Sequence, residues 1–252
     1  MRNIIKAEGL VKTYGSDAGK RRVLDGVSFE LGAGEFVAVM GPSGSGKTTL
    51  LFALSGMDRP DGGRVAFEGR ELSKLGEREL ADLRRTRMGF VFQQPSMLKH
   101  LNVLDNVILA ALRDRRSEAA ELSAKALALM EKAGIADLAG RDIAKVSGGQ
   151  LQRAGICRAL MNDPVVVFGD EPTGALNSAA AAEVLGMLEA VHAGGTAIAL
   201  VTHDARVAAR AGRVVFMRDG AIAAEESLGP FVRDELEPRV AAVTARMREL
   251  GI

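Results

Sequence analysis

The chain has 252 residues, of which 47% are hydrophobic, enough to form the core of one large or two small globular domains. Its 33 Lys and Arg residues nearly balance its 32 Asp and Glu residues, so no overall charge attracts it to nucleic acid or to an anionic membrane. The single cysteine, Cys157, excludes an internal disulfide, and no uncharged apolar stretch reaches the roughly 20 residues of a membrane-spanning helix.

The N-terminal segment is predicted to form a small, largely antiparallel sheet. From residue 4 to about residue 40, short apolar groups such as Ile4-Ile5 and Leu10-Val11 are separated by glycine-containing turns. Arg2, Lys6 and Glu8 interrupt the first ten residues, so this segment does not resemble a signal peptide. The lone cysteine fits a reducing compartment best.

The next segment, Gly41-Pro42-Ser43-Gly44-Ser45-Gly46-Lys47-Thr48, is the most informative one in the chain. It matches the P-loop pattern G-x-x-x-x-G-K-[ST], after an apolar run and before a helix-compatible run that begins with Thr48-Thr49. A P-loop turns backbone N–H groups and a helix N-terminus toward phosphate. We expect Lys47 to contact the β- and γ-phosphates of a nucleotide and the Thr48 hydroxyl to bind Mg²⁺. The eight P-loop residues, Gly41 to Thr48, and Thr49 are predicted to form the phosphate-binding part of the nucleotide site.

A helical region is predicted to interrupt the sheet between about residues 95 and 162. The apolar run 89–92 ends at Gln93, whose side chain is placed to reach a metal ion or an attacking water. Three later runs are rich in Ala, Leu and Arg and have a helical period: 107–112, 117–133 and 151–161. Apolar residues also occur in segment 95–101, where they either pack inside the helical lobe or contact another protein.

A second potential phosphate site precedes the last of these helices. Ser147 is able to cap the helix, and Gly148 and Gly149, followed by Gln150, expose backbone donors at its positive end. In isolation this pattern is typical of a flexible turn with an ordinary helix cap. In a chain that already has a P-loop, it indicates a second helix end able to bind phosphate.

Apolar strands return at residues 165–168, 197–201 and 214–216, with a helix at 179–191. Strands of this kind that alternate with helices indicate a parallel sheet covered on both faces. Asp170 and Glu171 follow the first strand at its carboxyl end, where such sheets bind ligands. This pair alone is typical of a helix N-terminus, but after a P-loop we expect Asp170 to hold Mg²⁺ through water and Glu171 to orient or deprotonate the attacking water. His203 follows the second strand and is predicted to bind the γ-phosphate.

The C-terminal segment is predicted to be a helix that ends at Gly251. Val240, Val243, Met247 and Leu250 form one apolar stripe, which we expect to pack on its own domain. The predicted fold class is α/β, with residues 1–252 forming a single P-loop NTPase domain. It has a parallel core sheet, an N-terminal antiparallel β subdomain and an inserted helical subdomain at about 95–162.

Five motifs, in the order in which they occur, resemble those of the nucleotide-binding domain of ATP-binding cassette (ABC) transporters: the P-loop, Gln93, Ser147-Gly148-Gly149-Gln150, Asp170-Glu171 and His203. The resemblance covers essentially the whole chain. Segments 89–94 and 170–176 look most like the ATPases of the lipoprotein-release, macrolide-export and antimicrobial-peptide-resistance branch. The resemblance implies that ATP and Mg²⁺ bind between two copies arranged head to tail, with Ser147, Gly149 and Gln150 of one copy closing over the P-loop of the other. It also implies that Tyr14 stacks on adenine and that Val23 flanks it.

The implied function is that of a cytoplasmic ATPase subunit, peripheral to the membrane, that drives a separate membrane permease in export or in lipid or peptide extraction. Segment 95–101 is then the expected permease contact. Asn177 departs from the family pattern, which usually has Asp there, so it keeps hydrogen bonding but loses the charge. The alternatives are a soluble ABC-type ATPase that acts on DNA or ribosomes and a mechanical switch with little hydrolysis. The near-neutral charge disfavours nucleic acid, and Ser147–Gln150 disfavour a P-loop kinase.

Overall fold

The computed structural model describes residues 2–15, 19–113 and 115–252. In chain order, its strands and α-helices are β1 (Asn3–Tyr14), β2 (Arg21–Gly32), β3 (Phe36–Met40), α1 (Lys47–Leu54), β4 (Gly62–Phe67), β5 (Arg70–Glu71), α2 (Glu77–Arg87), β6 (Met88–Phe92), α3 (Val103–Leu112), α4 (Ala119–Lys132), α5 (Gly148–Leu160), β7 (Val166–Asp170), α6 (Ser178–Ala193), β8 (Ala197–Val201), α7 (Ala205–Ala208), β9 (Arg213–Arg218), β10 (Ala221–Ser227) and α8 (Leu236–Leu250). The chain separates into a first unit, Met1–Ala81 with Ala197–Ile252, and a second unit, Asp82–Thr196.

The N-terminal part of the first unit is an antiparallel sheet with the order β2-β1-β4-β5, which confirms the predicted sheet type. The strands are longer than expected, because Ile4-Ile5 and Leu10-Val11 lie in the same strand and not in two. The glycine between them forms part of a bulge, where the pairing register shifts between Ala7 and Leu10, and the chain does not turn.

The first unit also contains strands in the order β10-β9-β3-β8. Strand β3 pairs in parallel with both β8 and β9, and every residue of β3 and β8 is buried. The prediction of an antiparallel segment up to residue 40 was therefore wrong for β3. Its charge-free run suits a strand covered on both faces, as parallel strands are. Because β3 and β8 are parallel neighbours, the segments that follow their carboxyl ends lie at the same edge of the sheet.

The C-terminal helix α8 packs on α7 within the first unit. Val243 is fully buried, and the rest of the predicted stripe is partly buried, which confirms that the stripe packs on its own domain. Arg239, which the apolar pattern did not single out, is also buried. Its guanidinium donates hydrogen bonds to the backbone carbonyls of Ala209 (2.8 Å), Ala211 (2.7 Å), Gly229 (3.0 Å) and Pro230 (2.8 Å).

The second unit contains the parallel pair β6 and β7 and a helical core formed by α3, α4 and α5. The three predicted helices are present, and the first begins earlier than expected, at Val103, where Asn102 caps it. Cys157 lies fully buried in this core, and its burial raises the pKa of its thiol to about 12. Among the described residues, no helix combines the length and the apolar composition needed to cross a bilayer.

Candidate functional site

The predicted P-loop connects β3 to α1 in the first unit. The Lys47 ammonium lies inside the curve of the loop and donates hydrogen bonds to the carbonyls of Gly41 (2.8 Å) and Pro42 (2.9 Å). The residue is only 7% exposed, so its charge is held at the loop and does not extend into solvent. The Ser45 hydroxyl is buried too and has no hydrogen-bond partner among the described residues. The Ser45 hydroxyl suits an anion that enters the loop, because buried donors are normally paired, and the Lys47 ammonium supplies positive charge beside it.

The loop runs in close contact with the backbone of two strands. A Cβ atom at Gly41 would lie 2.3 Å from the Met217 carbonyl oxygen, and one at Gly46 would lie 2.6 Å from that of Val23. Gly46 also has a φ of +99°, which disfavours any residue with a side chain. Gly46 is the N-cap of α1, and within the described structure no side chain caps this helix and no acidic residue occupies its first turn. The helix N-terminus is therefore available to phosphate.

A cleft of about 260 Å³ borders the loop, and its lining consists of Tyr14, Arg21, Val23, Gly44, Gly46, Lys47, Thr48 and Thr49. The structure thus brings Tyr14 and Val23 next to the P-loop, as the family resemblance implies. Tyr14 is 42% exposed and available for stacking. The sequence analysis missed Arg21, which pairs with Tyr14 across β1 and β2 and lies near Gly44. Only the strand register, which the sequence does not reveal, identifies it.

His203 follows β8 in the first unit. Because β3 and β8 are parallel and Val39 pairs with Val201, His203 leaves the sheet at the same edge as the P-loop. The turn around it is fixed by the Thr202 hydroxyl, which accepts a hydrogen bond from the Asp204 amide (3.0 Å). Its position at this edge is the one that the sequence predicts for a residue that contacts phosphate.

In the second unit, Gln93 and Glu171 come together beyond the ends of β6 and β7. Phe92 pairs with Asp170 in parallel register, so the residues that follow emerge side by side. A Cβ atom at Gly174 would lie 3.0 Å from the Gln93 amide nitrogen and 3.3 Å from a Glu171 carboxylate oxygen. Both side chains thus converge on one glycine. Glu171 has a φ of +46°, a strained conformation that is enriched at functional sites.

The Ser147 segment forms the predicted cap at the start of α5. The Ser147 hydroxyl accepts a hydrogen bond from the Gln150 amide (3.4 Å), and the Gln150 side chain accepts one from the Ser147 amide (3.0 Å), which makes a capping box. Gly149 allows close packing on α6, since a Cβ atom there would lie 2.8 Å from the Ala180 Cβ. Asn177 caps α6 by accepting a hydrogen bond from the Ala180 amide (2.9 Å). The two helix N-termini border one polar cleft of about 230 Å³.

The predicted Mg²⁺ ligands are the Thr48 hydroxyl, the Gln93 amide and the Asp170 carboxylate. All three supply oxygen, the ligand atom that Mg²⁺ prefers. Only one of the three is anionic, and in the described part of the chain no group of three or more His, Cys, Asp and Glu side chains could hold a metal ion. Each of these groups is one that Mg²⁺ accepts alongside nucleotide phosphate oxygens.

The fold and the nucleotide site define a class of protein. A family model described as ABC transporter matches residues 24–174, and the chain belongs to this family. It is an ATP-binding cassette, the ATPase module of the family, as the resemblance predicted. Two solved structures support this: a dimeric structure of MJ0796, a bacterial ABC transporter cassette (TM-score 0.84, 35% identity, 90% of this chain and 100% of that chain), and a post-hydrolysis dimer of MJ0796 bound to ADP and Pi (TM-score 0.81, 33% identity, the same coverage).

Two curated relatives indicate the branch of the family. The macrolide export ATP-binding/permease protein MacB 1/2 of Paracoccus denitrificans is 46% identical over 92% of this chain and 34% of its own length. The pyoverdine export ATP-binding/permease protein PvdT of Pseudomonas syringae pv. tomato is 41% identical over 94% of this chain and 36% of its own length. The chain therefore spans about a third of the length of these relatives. Their names support the predicted macrolide-export branch.

Proposed function

We propose that this chain binds ATP with Mg²⁺ through its P-loop and uses the hydrolysis to drive export through a membrane permease. The observation that carries the proposal is the P-loop itself. In the described part of the chain, it combines a buried ammonium, a buried hydroxyl without a hydrogen-bond partner and a helix N-terminus without a side-chain cap, and its glycines exclude side chains. These features suit a polyphosphate, because each supplies positive charge or a hydrogen-bond donor.

Each residue of the site has a proposed role. Lys47 and the loop amides bind the β- and γ-phosphates, and His203 binds the γ-phosphate. Thr48, Gln93 and Asp170 hold Mg²⁺, which neutralises phosphate charge when bound. Glu171 acts as the general base for the attacking water, and its convergence with Gln93 on Gly174 supports this role.

The active form is proposed to be a head-to-tail dimer. Ser147, Gly148, Gly149 and Gln150 border a polar cleft at a helix N-terminus, a place that suits phosphate. They are proposed to contact ATP held by the P-loop of a second copy. The dimeric state of MJ0796, stated for that protein, supports this arrangement.

The permease contact is proposed at segment 95–101, and the chain is then held at the inner face of the membrane. The Arg158 guanidinium donates to the carbonyls of Pro95 (2.6 Å) and Ser96 (3.2 Å), and the buried Asn106 side chain bonds the amide and carbonyl of Leu98 (2.7 and 3.1 Å). These contacts present Leu98, which is 41% exposed, on a fixed backbone. The relatives' names, which include a permease, support the partner. A separate permease chain is part of the proposal.

The decisive experiment measures the mass of the Glu171→Gln variant in solution with and without MgATP. We expect a dimer with MgATP only, and we expect Lys47→Ala in the same background to remain monomeric. A variant that stays monomeric although it binds MgATP would reject the dimer.

Cysteine crosslinking from Met97→Cys to a copurified permease tests the docking segment.

A further inference from the structure

We propose that Asp58, supported by Lys12, is a positioning residue that fixes the orientation of Tyr14 and thereby sets the affinity of the site for the nucleotide base. This inference rests on the proposed function, because it assumes that Tyr14 contacts the base of a bound nucleotide. Asp58 lies beyond the end of α1, outside every motif that the sequence analysis assigned to the site.

The three side chains form one hydrogen-bonded group within the first unit. The Tyr14 hydroxyl donates to one carboxylate oxygen of Asp58, and the Lys12 ammonium donates to the other. The Lys12 ammonium also donates to the Arg59 carbonyl (2.6 Å). The carboxylate is thus shared between a phenol and a cation, so its position is fixed from two sides.

The group is partly shielded from water although the Tyr14 ring is exposed. The side chains of Lys12 and Asp58 are only 11% and 30% exposed. The Lys12 ammonium also lies 5.2 Å from the centre of the Tyr14 ring, a cation–π distance. Burial, together with the bond to Asp58, raises the pKa of the Tyr14 hydroxyl above its ordinary value. The Asp61 carboxylate also lies near Lys12.

Backbone contacts connect the same loop to the end of β1. The Asp61 carboxylate accepts a hydrogen bond from the Thr13 amide (2.7 Å), and the Asp61 amide donates to the Val11 carbonyl (2.8 Å). The loop that carries Asp58 therefore holds both the backbone and the side chain of the strand end. Because the loop follows α1, whose N-terminus forms the phosphate site, the base and phosphate contacts share one rigid support.

The hydroxyl of Tyr14 has no evident role in stacking itself, since a phenylalanine ring stacks as well as a tyrosine ring. An exposed ring without a hydrogen bond must lose its rotational freedom when a base binds, and this cost weakens binding. The bond to Asp58 removes that freedom beforehand. The geometry therefore assigns the hydroxyl to orientation of the ring.

The test compares ATP with inorganic triphosphate, which has no base. In Tyr14→Phe and in Asp58→Asn we expect the Kd for ATP to rise about three- to tenfold and the Kd for triphosphate to stay within about twofold. Asp58→Asn added to Tyr14→Phe should have no further effect. The matched control is Asp25→Asn, which removes an exposed carboxylate in β2 that pairs with Arg22 and leaves Asp58 intact.

A spectroscopic signal separates positioning from general damage. Tyr14 is the only tyrosine, and the chain has no tryptophan, so tyrosine fluorescence reports on this side chain alone. A carboxylate that accepts from a phenol quenches its emission, so Asp58→Asn should increase the fluorescence of the protein without ligand. Asp25→Asn should not change it.

Three results would overturn the inference: Tyr14→Phe that binds ATP as tightly as the wild type, equal losses for ATP and triphosphate, or unchanged fluorescence in folded Asp58→Asn. If Asp58→Asn does not fold, Tyr14→Phe removes the bond to Asp58 together with a bond to the Thr49 side chain, and wild-type affinity for ATP in that variant still overturns the inference. Failure of the wild-type protein to bind either ligand would reject the proposed function instead.

Discussion

The close approach of the P-loop to β2 leads to a quantitative prediction for Gly46→Ala. A Cβ atom at this position has two separate costs. The backbone conformation, with a φ of +99°, costs about 1–2 kcal/mol for a residue with a side chain. The Cβ atom would also lie 2.6 Å from the Val23 carbonyl oxygen, a backbone atom that cannot turn away as a flexible side chain would. Overpacking of this kind costs about 1–3 kcal/mol more.

The control variant Gly69→Ala isolates the first cost. Gly69 has a similar φ of +82°, but a Cβ atom there has nothing within 4 Å. We therefore expect Gly69→Ala to lower the free energy of unfolding by about 1–2 kcal/mol and Gly46→Ala to lower it by about 2–5 kcal/mol. Urea unfolding of both variants measures the difference.

The two variants should also differ in ATP binding. The loop in Gly46→Ala must move several tenths of an ångström away from Val23, and this displaces the amides that bind phosphate. Losing one hydrogen bond to a charged group costs about 1.5–3 kcal/mol, so we expect the Kd for ATP to rise at least about tenfold. Gly69→Ala should bind ATP like the wild type in isothermal titration calorimetry. If the two variants unfold and bind ATP alike, the loop does not press on β2 and the argument for Gly46 is wrong.

Three further predictions concern other parts of the chain. Glu171→Gln should keep MgATP binding and lower steady-state phosphate release about 10²–10⁴-fold, because it removes a general base; undiminished release would contradict that role. Ser147→Ala should lower the free energy of unfolding by only about 1 kcal/mol yet prevent the MgATP-dependent dimer of Glu171→Gln, and a dimer of normal affinity would reject the proposed contact. Cys157 should resist maleimide in mildly alkaline buffer, since burial raises the pKa of its thiol to about 12 and only the thiolate reacts; equal labelling of native and unfolded protein, measured by mass spectrometry, would contradict its burial.

The sequence predicted the elements whose signal is local. The P-loop, the capping box at Ser147 and the buried strands before His203 and Asp170 each depend on residues within a few positions, and each is present. Helix α2 was missed because most of its residues are charged, and its apolar face consists mainly of Leu80 and Leu83.

What the sequence could not predict depends on which strands become neighbours. Strand β3 was grouped with the antiparallel residues before it, because a run of five apolar residues does not indicate which strands it pairs with. Arg21 lies beside Tyr14 because β1 pairs with β2, and Asp58 reaches Tyr14 from the loop after α1. Residues that are separated in sequence in this way do not form a recognisable motif. The predicted roles of the site residues remain predictions, since they concern a nucleotide and a second copy of the chain.

The N-termini of α1 and α5, the two helix ends proposed to bind phosphate, differ in how far their amides are already paired. Helix α1 has no side-chain cap in the described structure, so its N-terminal amides are open to an anion. Helix α5 already satisfies the amides of Ser147 and Gln150 through its own capping box, which leaves the Gly148 and Gly149 amides for a ligand. We infer that phosphate stabilises the N-terminus of α1 more than that of α5.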